Sequence, residues 1–373
     1  MADVKLNVGS TAALPKAKFD EILSRLRGKG YRTYGPRIRD DAVVYAPVET
    51  LADFPQGKTS EQSAGRYRIA SSGNPRYFDI TPGAQSWKQF FFPPRVALFD
   101  LRKEAAWKQE PSAEAAPRLA LIGVRPCEMA AIRIQDRAFL REDFTDPIYS
   151  ERRKNAFIVA VNCLHPGGTC FCASMGTGPK LEKDFDLAIT ELDDVFLLEI
   201  GSEAGKDLLQ GMALPAADAS AAKKAEQGFE AAKAAMGRTL DIRDLPELIL
   251  KNLEHPEWQA VGQRCMSCAS CTLACPTCFC WDTVDHSTVD SQATGRERLW
   301  DSCFNPGYSY QAGGNTRPNT RSRYRQWLSH KFGTWVEQYG VIGCVGCGRC
   351  ITWCPVKIDV TEEIAALRKE ARS

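Results

Sequence analysis

The sequence predicts two domains of different fold class, an α/β domain in the first part of the chain and a mainly α-helical domain in the last. Two observations support this division: a strand–helix–strand pattern at residues 118–162, and a change after residue 241 to cysteine-rich sequence with few strand signals. A chain of 373 residues is long enough for two hydrophobic cores. The predicted segments are an α/β domain at 1–215, a helical linker at 216–240 and the second domain at 241–373.

The predicted elements of the first domain follow from the spacing of their apolar residues. A helix is predicted at 17–28, because apolar side chains from Phe19 to Leu26 recur at i, i+3, i+4 and i+7. Residues 128–140 have the same helical character. Five apolar runs predict strands, at 42–48, 96–101, 119–124, 157–161 and 195–200.

The rest of the chain offers weaker signals. Residues 216–240 are rich in Ala, Lys and Glu, which is typical both of a helical spacer and of an ordinary surface helix. Asp244 is the predicted N-cap of a helix with an apolar stripe at 245–253. Residues 281–340 are polar and basic and predict loops. A short helix is predicted at 361–372, with acidic residues first and basic residues last, as the helix dipole favours.

Composition and charge argue against several functions. Lys and Arg number 48 against 46 Asp and Glu, so the net charge of +2 is too small for a dedicated nucleic-acid binder. No apolar run reaches the ~18 residues of a membrane span. The beginning of the sequence has no apolar signal segment, so a cytoplasmic location is expected. In a reducing compartment, fifteen clustered cysteines are better interpreted as metal ligands than as disulfides.

Eight of these cysteines form an internal repeat. A C-x2-C-x2-C-x3-C-P run begins at Cys265 and recurs from Cys344, and this pattern is that of cubane ligation in two-cluster ferredoxins. Zinc would favour separated cysteine pairs, so it fits the pattern poorly. Because a long segment separates Cys275 from Cys344, and helical patterns flank both runs, the sequence predicts an α-helical ferredoxin-like dicluster domain rather than a compact βαβ ferredoxin.

The spacing also assigns ligands to two [4Fe–4S] clusters. Three closely spaced thiolates wrap three corners of one cube, and the fourth cysteine begins the next element and is carried to the neighbouring cube. The first cluster is therefore assigned Cys265, Cys268, Cys271 and Cys354, and the second Cys344, Cys347, Cys350 and Cys275.

Four further cysteines are expected to converge at one edge of the predicted sheet. Cys127 follows one predicted strand and Cys163 ends the next, and the carboxyl ends of parallel strands share the edge where α/β proteins bind ligands. Cys170 and Cys172 follow in a glycine-containing loop. These four predict a third [4Fe–4S] cluster, with buried or redox-sensitive thiols and zinc as alternatives. Three clusters, each carrying roughly −2 with its thiolates, would bring the net charge to about −4.

The remaining signals stay open. Cys278, Cys280 and Cys303 are either buried neighbours of the first run or ligands of a further cluster with a non-cysteine ligand. A basic stretch with aromatic residues fits a nucleic-acid patch, a cationic wall around anionic clusters or a partner-docking face; it comprises Arg317, Arg321, Arg323, Tyr324, Arg325, Trp327 and Lys331. We find no catalytic set and no flavin or nicotinamide site in the sequence.

Several segments, in this order, resemble one known family. They are FFFPPRVALFDL at 90–101, GVRPCEMAAI at 123–132, DPIYSERRKNAFIVAVNC at 146–163 and TCFC, followed by the first cysteine run, TGRERLWDSC and the second run. The chain resembles the iron–sulfur beta subunits of cytoplasmic NiFe hydrogenases (sulfhydrogenases) and the related A subunit of anaerobic sulfite reductase. The resemblance covers most of the chain beyond residue 90 and includes all fifteen cysteines, whereas the segments 1–80 and 205–240 match weakly.

This resemblance implies a non-catalytic electron-transfer subunit of an oxidoreductase complex. In the hydrogenases, the partners would be the large and small hydrogenase subunits and a flavin- and NAD(P)-binding diaphorase-type subunit. In the alternative, the chain would supply electrons to a sulfite reductase or another multi-subunit reductase. The chain itself is expected to bind two or three [4Fe–4S] clusters and no flavin, nicotinamide or nucleic acid.

Overall fold

The computed structural model describes residues 6–104, 106–110 and 116–370. The strands are β1 (Thr11–Pro15), β2 (Arg32–Arg39), β3 (Ala42–Pro47), β4 (Lys58–Ser63), β5 (Arg66–Ser71), β6 (Arg95–Lys103), β7 (Trp107–Glu110), β8 (Leu119–Val124), β9 (Ala156–Val161), β10 (Leu187–Glu191), β11 (Val195–Ile200), β12 (Trp281–Ser287), β13 (Ala293–Trp300), β14 (Tyr310–Gln311) and β15 (Gly314–Asn315). The helices are α1 (Phe19–Gly28), α2 (Lys88–Phe91), α3 (Pro126–Phe139), α4 (Pro147–Lys154), α5 (Glu203–Leu209), α6 (Ala219–Ala234), α7 (Leu245–Lys251), α8 (Glu257–Arg264), α9 (Ser270–Leu273), α10 (Thr320–Ser329), α11 (Trp335–Tyr339), α12 (Arg349–Thr352) and α13 (Val360–Glu370).

Seven strands form a mixed sheet in the order β1-β11-β10-β9-β8-β2-β3. The four strands β10, β9, β8 and β2 run parallel, and antiparallel strands flank them on both sides. The unit β8–α3–α4–β9 contains the strand–helix–strand pattern predicted at 118–162, with α4 as an additional helix. The α/β character expected of this part of the chain is therefore confirmed.

Helices cover both faces of the parallel strands. On β8, Ile122 packs into a core with Phe19 of α1, and Leu121 packs into the opposite core with Met129 of α3. All four side chains are fully buried. Each contributes about 1.5–3 kcal/mol of burial free energy, so the edge from which α3 begins is held firmly.

A second, four-stranded sheet has the order β12-β13-β6-β7 and is antiparallel. Here the expectation of loops throughout 281–340 is wrong, because β12 and β13 form a hairpin and α10 and α11 follow it. Most side chains of β12 face solvent, so the hairpin lacks the apolar residues by which a strand is recognised in sequence. Its partner, β6, lies far earlier in the chain, a pairing that local sequence does not reveal.

Helices α7 to α13 surround the cysteine runs. Their shared core contains Trp258, Leu328, Phe332 and Leu367, all fully buried. Asp244 occupies the N-cap position of α7, as predicted, but it has a left-handed φ of 51° and its side chain makes no capping hydrogen bond. The helix predicted at 361–372 is α13, and residues 371–372 lie outside the described residues.

The segment 216–240 contains α6, and one face of this helix packs against strand β11 of the seven-stranded sheet. Ala225 and Phe229 of this helix are buried with Leu197 of β11, and Asp218 caps the helix by accepting a hydrogen bond from Ala221 N over 2.6 Å. This packing favours the surface-helix interpretation over a free spacer.

Candidate iron–sulfur sites

The two cysteine runs share one backbone course. Ser267 and Ala269 in the first run have φ of 53° and 66°, and Gly346 and Gly348, at the equivalent positions of the second run, have φ of 64° and 72°. The amides of Ser267 and Gly346 each donate a hydrogen bond over 3.4 Å to the sulfur of the first cysteine of their run. Each loop then enters a short helix, α9 or α12. Backbone that mixes right- and left-handed residues forms concavities that bind anions, so the repeat extends from the cysteines to the loop geometry.

The cysteines assigned to the first cluster, which we name the first site, line one common space. Cys265, Cys268 and Cys271 come from the first run, Cys354 comes from the second, and Cys350 lines the same space. Cys354 Sγ accepts a hydrogen bond from Ile358 N over 3.3 Å. Apolar side chains complete the wall, namely Phe304, Tyr324, Trp327, Val356, Ile358 and Val360. The fold therefore brings Cys354 to the first run, as the exchanged ligand assignment requires.

The second site comprises Cys275 and the three cysteines of the second run. Burial raises the pKa of the Cys344 thiol to about 12, and nearby Cys275 adds to this effect. Burial and the charge of Cys275 likewise contribute to the raised pKa values of Cys347 and Cys350. Closely packed, buried thiols resist ionisation until a cation neutralises them, which is the condition that iron binding satisfies.

A buried lysine adjoins the second site. Lys331 is 3% exposed, and its Nζ donates hydrogen bonds to Cys275 Sγ over 3.4 Å, to Thr277 Oγ1 over 3.0 Å and to Gly343 O over 3.0 Å. A hydrogen bond from the Cys278 thiol, together with this ammonium group, holds the pKa of Cys275 well below its usual range despite burial. The lysine thus links the end of the first run to the beginning of the second.

The four cysteines of the predicted third cluster, the third site, meet at the carboxyl edge of the seven-stranded sheet. Cys127 lies in the first turn of α3 after β8, and Cys163 follows β9. Both line one space with Cys170 and Cys172, and Cys347 of the second site also lines it. Burial, followed by the neighbouring thiols, raises the pKa of Cys172 well above its ordinary value.

The third site is joined directly to the second cysteine run. Phe171 N donates to Gly346 O over 2.8 Å, and Thr177 Oγ1 donates to Val345 O over 2.7 Å. A Cβ added to Gly348 would lie 2.3 Å from the carbonyl oxygen of Thr169, so the two loops touch backbone to backbone. This contact explains glycine in the second run where the first run has Ala269.

Two buried arginines line the third site. Arg349 pairs with Glu128, and both residues are at most 4% exposed. Arg125 donates hydrogen bonds to the carbonyl oxygens of Ile80, over 2.7 Å, and Phe78. Buried positive charge offsets the negative charge that a cluster with four thiolates would carry. Neither arginine was singled out from the sequence; the position of Arg125 directly between strand β8 and Cys127 was the available signal.

The basic stretch does not form an open nucleic-acid surface. Arg323 and Lys331 are buried, and Arg321 and Arg325 bind Glu254 over 3.0 and 2.6 Å. Tyr324 and Trp327 are buried as well and line the first site. This geometry favours the cationic-wall interpretation of the stretch.

No group of three or more His, Cys, Asp or Glu side chains in the described residues is arranged to hold a single metal ion. The cysteines surround shared spaces and are not gathered about one point. A cubane binds its four thiolates at separate corners, so it spreads them more widely than one ion does. The donor chemistry, the largely apolar wall of the first site and the buried arginines of the third site fit iron–sulfur clusters.

Comparisons with known proteins define the class first. Residues 264–358 match the family model described as a 4Fe-4S dicluster domain. The chain is therefore an iron–sulfur protein of electron transport, with a C-terminal [4Fe–4S] dicluster domain.

A relative of known identity extends the likeness over almost the whole chain. The chain is 29% identical over 349 residues to subunit beta of sulfhydrogenase 2 from Pyrococcus furiosus. The aligned region covers 92% of this chain and 98% of the relative. The resemblance to sulfhydrogenase beta subunits is thus confirmed. No solved structure matches the chain. None of the helices in the described part of the chain combines the length and apolar character of a membrane span.

Proposed function

We propose that this chain is a non-catalytic subunit that relays electrons through three [4Fe–4S] clusters in a cytoplasmic oxidoreductase complex. The clusters would occupy the first, second and third sites. The partners would be the large and small subunits of a NiFe hydrogenase and a flavin- and NAD(P)-binding subunit. The similarity to a sulfhydrogenase beta subunit supports these partners over those of a sulfite reductase.

One observation carries the relay proposal: cysteines shared between neighbouring sites make the three sites continuous. Cys350 lines the first site and also lies close to Cys344 and Cys275 of the second. Cys347 belongs to the second site and lines the third. Clusters held in adjoining walls are close enough to exchange electrons, whereas isolated structural clusters would have no reason to adjoin.

The first site also reaches the surface, as a relay terminus requires. Cys268 is exposed, and beside it Met266 and Leu273 are 67% and 44% exposed. Large apolar side chains gathered at a surface are typical of docking sites. We propose that this surface receives one of the redox partners.

The test is anaerobic co-purification followed by EPR. The tagged chain should bring down hydrogenase and flavin subunits, and hydrogen gas should reduce the same clusters that dithionite reduces. Cys271→Ser should abolish hydrogen-dependent NAD(P) reduction while partner binding persists. Ile358→Val, a conservative change in the apolar wall of the first site, is the matched control and should retain activity.

Two outcomes would overturn the proposal. Clusters that dithionite reduces but hydrogen does not, in a complex containing all partners, would contradict a relay from hydrogenase. Recovery of sulfite reductase subunits, with cluster oxidation by sulfite, would establish the alternative function.

A further inference from the structure

The three cysteines outside the proposed sites meet at the base of the β12–β13 hairpin. Trp281 of β12 pairs with Trp300 of β13, and Asp301 N donates to Cys280 O over 2.9 Å. This pairing brings Cys280 next to Cys303, and the two thiols are hydrogen-bonded. Cys278 lies two residues before Cys280, and it is close enough to Cys303 for its charge to act on that thiol.

These thiols line a cavity of about 280 Å³. The corresponding space is about 30 Å³ at the first site and about 30 Å³ at the third site. The cavity therefore has more room than the two places where the cysteine pattern already predicts a cluster. Its lining combines aromatic side chains with charged and polar groups, and it opens to solvent beside Trp281 and Tyr308, which are 46% and 38% exposed.

The walls carry the charges and donors that an anionic cluster needs. Arg317 and Lys331 line the cavity as cations. The indole N–H groups of Trp327 and Trp335, both lining residues, are buried without a hydrogen-bond partner among the described residues. Inorganic sulfide accepts hydrogen bonds, so an iron–sulfur cluster would supply partners for such donors.

A nitrogen donor also lines the cavity. His330 begins a π-helical turn, His330–Thr334, between α10 and α11, a feature that often marks functional sites. One ring nitrogen of His330 bonds to Gln338 Oε1 over 3.0 Å, and its ring stacks on Trp335. A hydrogen bond at one imidazole nitrogen orients the other for a metal.

We propose that Cys278, Cys280 and Cys303 bind a further iron–sulfur cluster in this cavity, with His330 as the ligand of the fourth iron. All fifteen cysteines then serve as ligands, twelve in the three sites and three here. A neutral imidazole in place of one thiolate lowers the negative charge of the cluster, and Lys331 and Arg317 offset the remainder.

This cluster would adjoin the second site. The Cys278 thiol donates its hydrogen bond to Cys275, a proposed ligand of the second cluster. In the relay proposed above, the further cluster would form a branch beside the second cluster. The cluster site stands on its own geometry and does not depend on the identity of the redox partners.

Iron and sulfide analysis of the anaerobically purified full chain tests the proposal. Wild type should contain about sixteen of each, four per cube. Cys303→Ser and Cys280→Ser should each lose about four, with the EPR signals of the other clusters retained. Gln326→Ala, which alters the same cavity without removing a ligand, should keep the full content. His330→Ala should abolish a nitrogen coupling that pulsed EPR detects in wild type.

The proposal is overturned if both serine variants keep the iron content of the Gln326→Ala control. Zinc in place of iron in this cavity, or a Cys280–Cys303 disulfide in the anaerobic holoprotein, would overturn it as well. A third outcome is a wild-type content of about twelve irons, of which each serine variant loses about four. That result would support the cluster proposed here but show that one of the first, second and third sites holds no cluster. The proposal of this cluster and the proposal of the three-cluster relay can therefore fail separately.

Discussion

Single residues determine which other thiols each cysteine lies beside. Cys275 is four residues after Cys271 in sequence, yet its charge acts on Cys344, Cys347 and Cys350. The ammonium group of Lys331 holds Cys275 on this side through a hydrogen bond. Cys354 has the reciprocal position in the wall of the first site. These positions are the ones that the proposed exchange of the last cysteines between the two runs requires.

Reciprocal serine variants test this exchange. We expect Cys275→Ser to damage the second cluster, because its three other ligands lie in the second run, and Cys354→Ser to damage the first. EPR spectra of the reduced proteins provide the measurement. Cys344→Ser, which removes a ligand of the second cluster, and Cys265→Ser, which removes a ligand of the first, are the reference variants. The EPR spectrum of reduced Cys275→Ser should match that of Cys344→Ser. A match between Cys275→Ser and Cys265→Ser would contradict the exchanged assignment.

For single residues, the sequence predicts the cysteines of each site better than the charged side chains that lie beside them. Spacing predicted the cysteines of the two runs, and the shared edge of parallel strands predicted those of the third site. Lys331 was anticipated only as one member of a basic stretch, and Arg349 and Glu128 were not predicted as site residues. Their roles depend on contacts between segments far apart in the chain, such as the pair of Arg349 with Glu128.

Among the elements, the loop of the second cysteine run is the most constrained. Gly348 has φ of 72°, and an added Cβ would lie 2.3 Å from Thr169 O. Ala269, the equivalent residue of the first run, already carries a Cβ at φ of 66°. The constraint on Gly348 therefore comes mainly from packing against the third site.

Gly348→Ala should destabilise the protein by about 1–3 kcal/mol, the cost of left-handed strain and of displacing a packed backbone. It should also lower occupancy of the third site. The midpoint of urea unfolding and the iron content are the measurements. Gly73→Ala is the control, because Gly73 has a similar φ of 71° and no atom lies within 4 Å of the added Cβ. Equal effects of the two substitutions would show that the contact with Thr169 is unimportant.

Five of the eleven strands that the structure describes in the first part of the chain were predicted from the sequence, and their partners were not. The five apolar runs correspond to β3, β6, β8, β9 and β11. The sequence did not predict β2, which contains Gly35 and Pro36, or the short β10. It also did not predict helix α10, although Tyr324, Trp327 and Leu328 follow i, i+3, i+4 spacing and are buried. Basic residues between these side chains obscured the apolar stripe.

In the whole molecule, the cores differ in their dependence on cysteine. The cores on the two faces of the seven-stranded sheet consist of aliphatic and aromatic side chains. The core within helices α7 to α13 includes Cys275, Cys278 and Cys303 and packs against six more cysteines. Binding of metal by such thiols contributes to folding free energy.

Cluster removal should therefore loosen one part of the molecule and spare the other. After treatment with oxidant and iron chelator, amides of α8, α9 and α12 should exchange hydrogen roughly tenfold faster or more, equal to ~1.4 kcal/mol of local stability. Strands β8 and β9 should keep their protection. Hydrogen exchange followed by mass spectrometry measures both. Uniform loss of protection would show that the clusters support the entire fold.

The predicted domain boundaries at 215 and 241 remain a prediction. The sheet β12-β13-β6-β7 combines strands from both sides of these boundaries, and loops of the third site bind the second run. Such contacts join segments far apart in sequence, so composition and periodicity do not report them.

The exchange of ligands and the long-range sheet have a consequence for biosynthesis. Strand β6 leaves the ribosome long before its partner β13. Under the exchanged assignment, Cys275 cannot bind its cluster until Cys344, 69 residues later in the sequence, has been translated. Under the same assignment, the first cube lacks a corner until Cys354 emerges. Neither cube of the dicluster domain could then be completed on the nascent chain before the second cysteine run has been translated. Cluster delivery would therefore act on an apoprotein that already contains both runs, and a fragment that stops before Cys344 would lack both complete cubes.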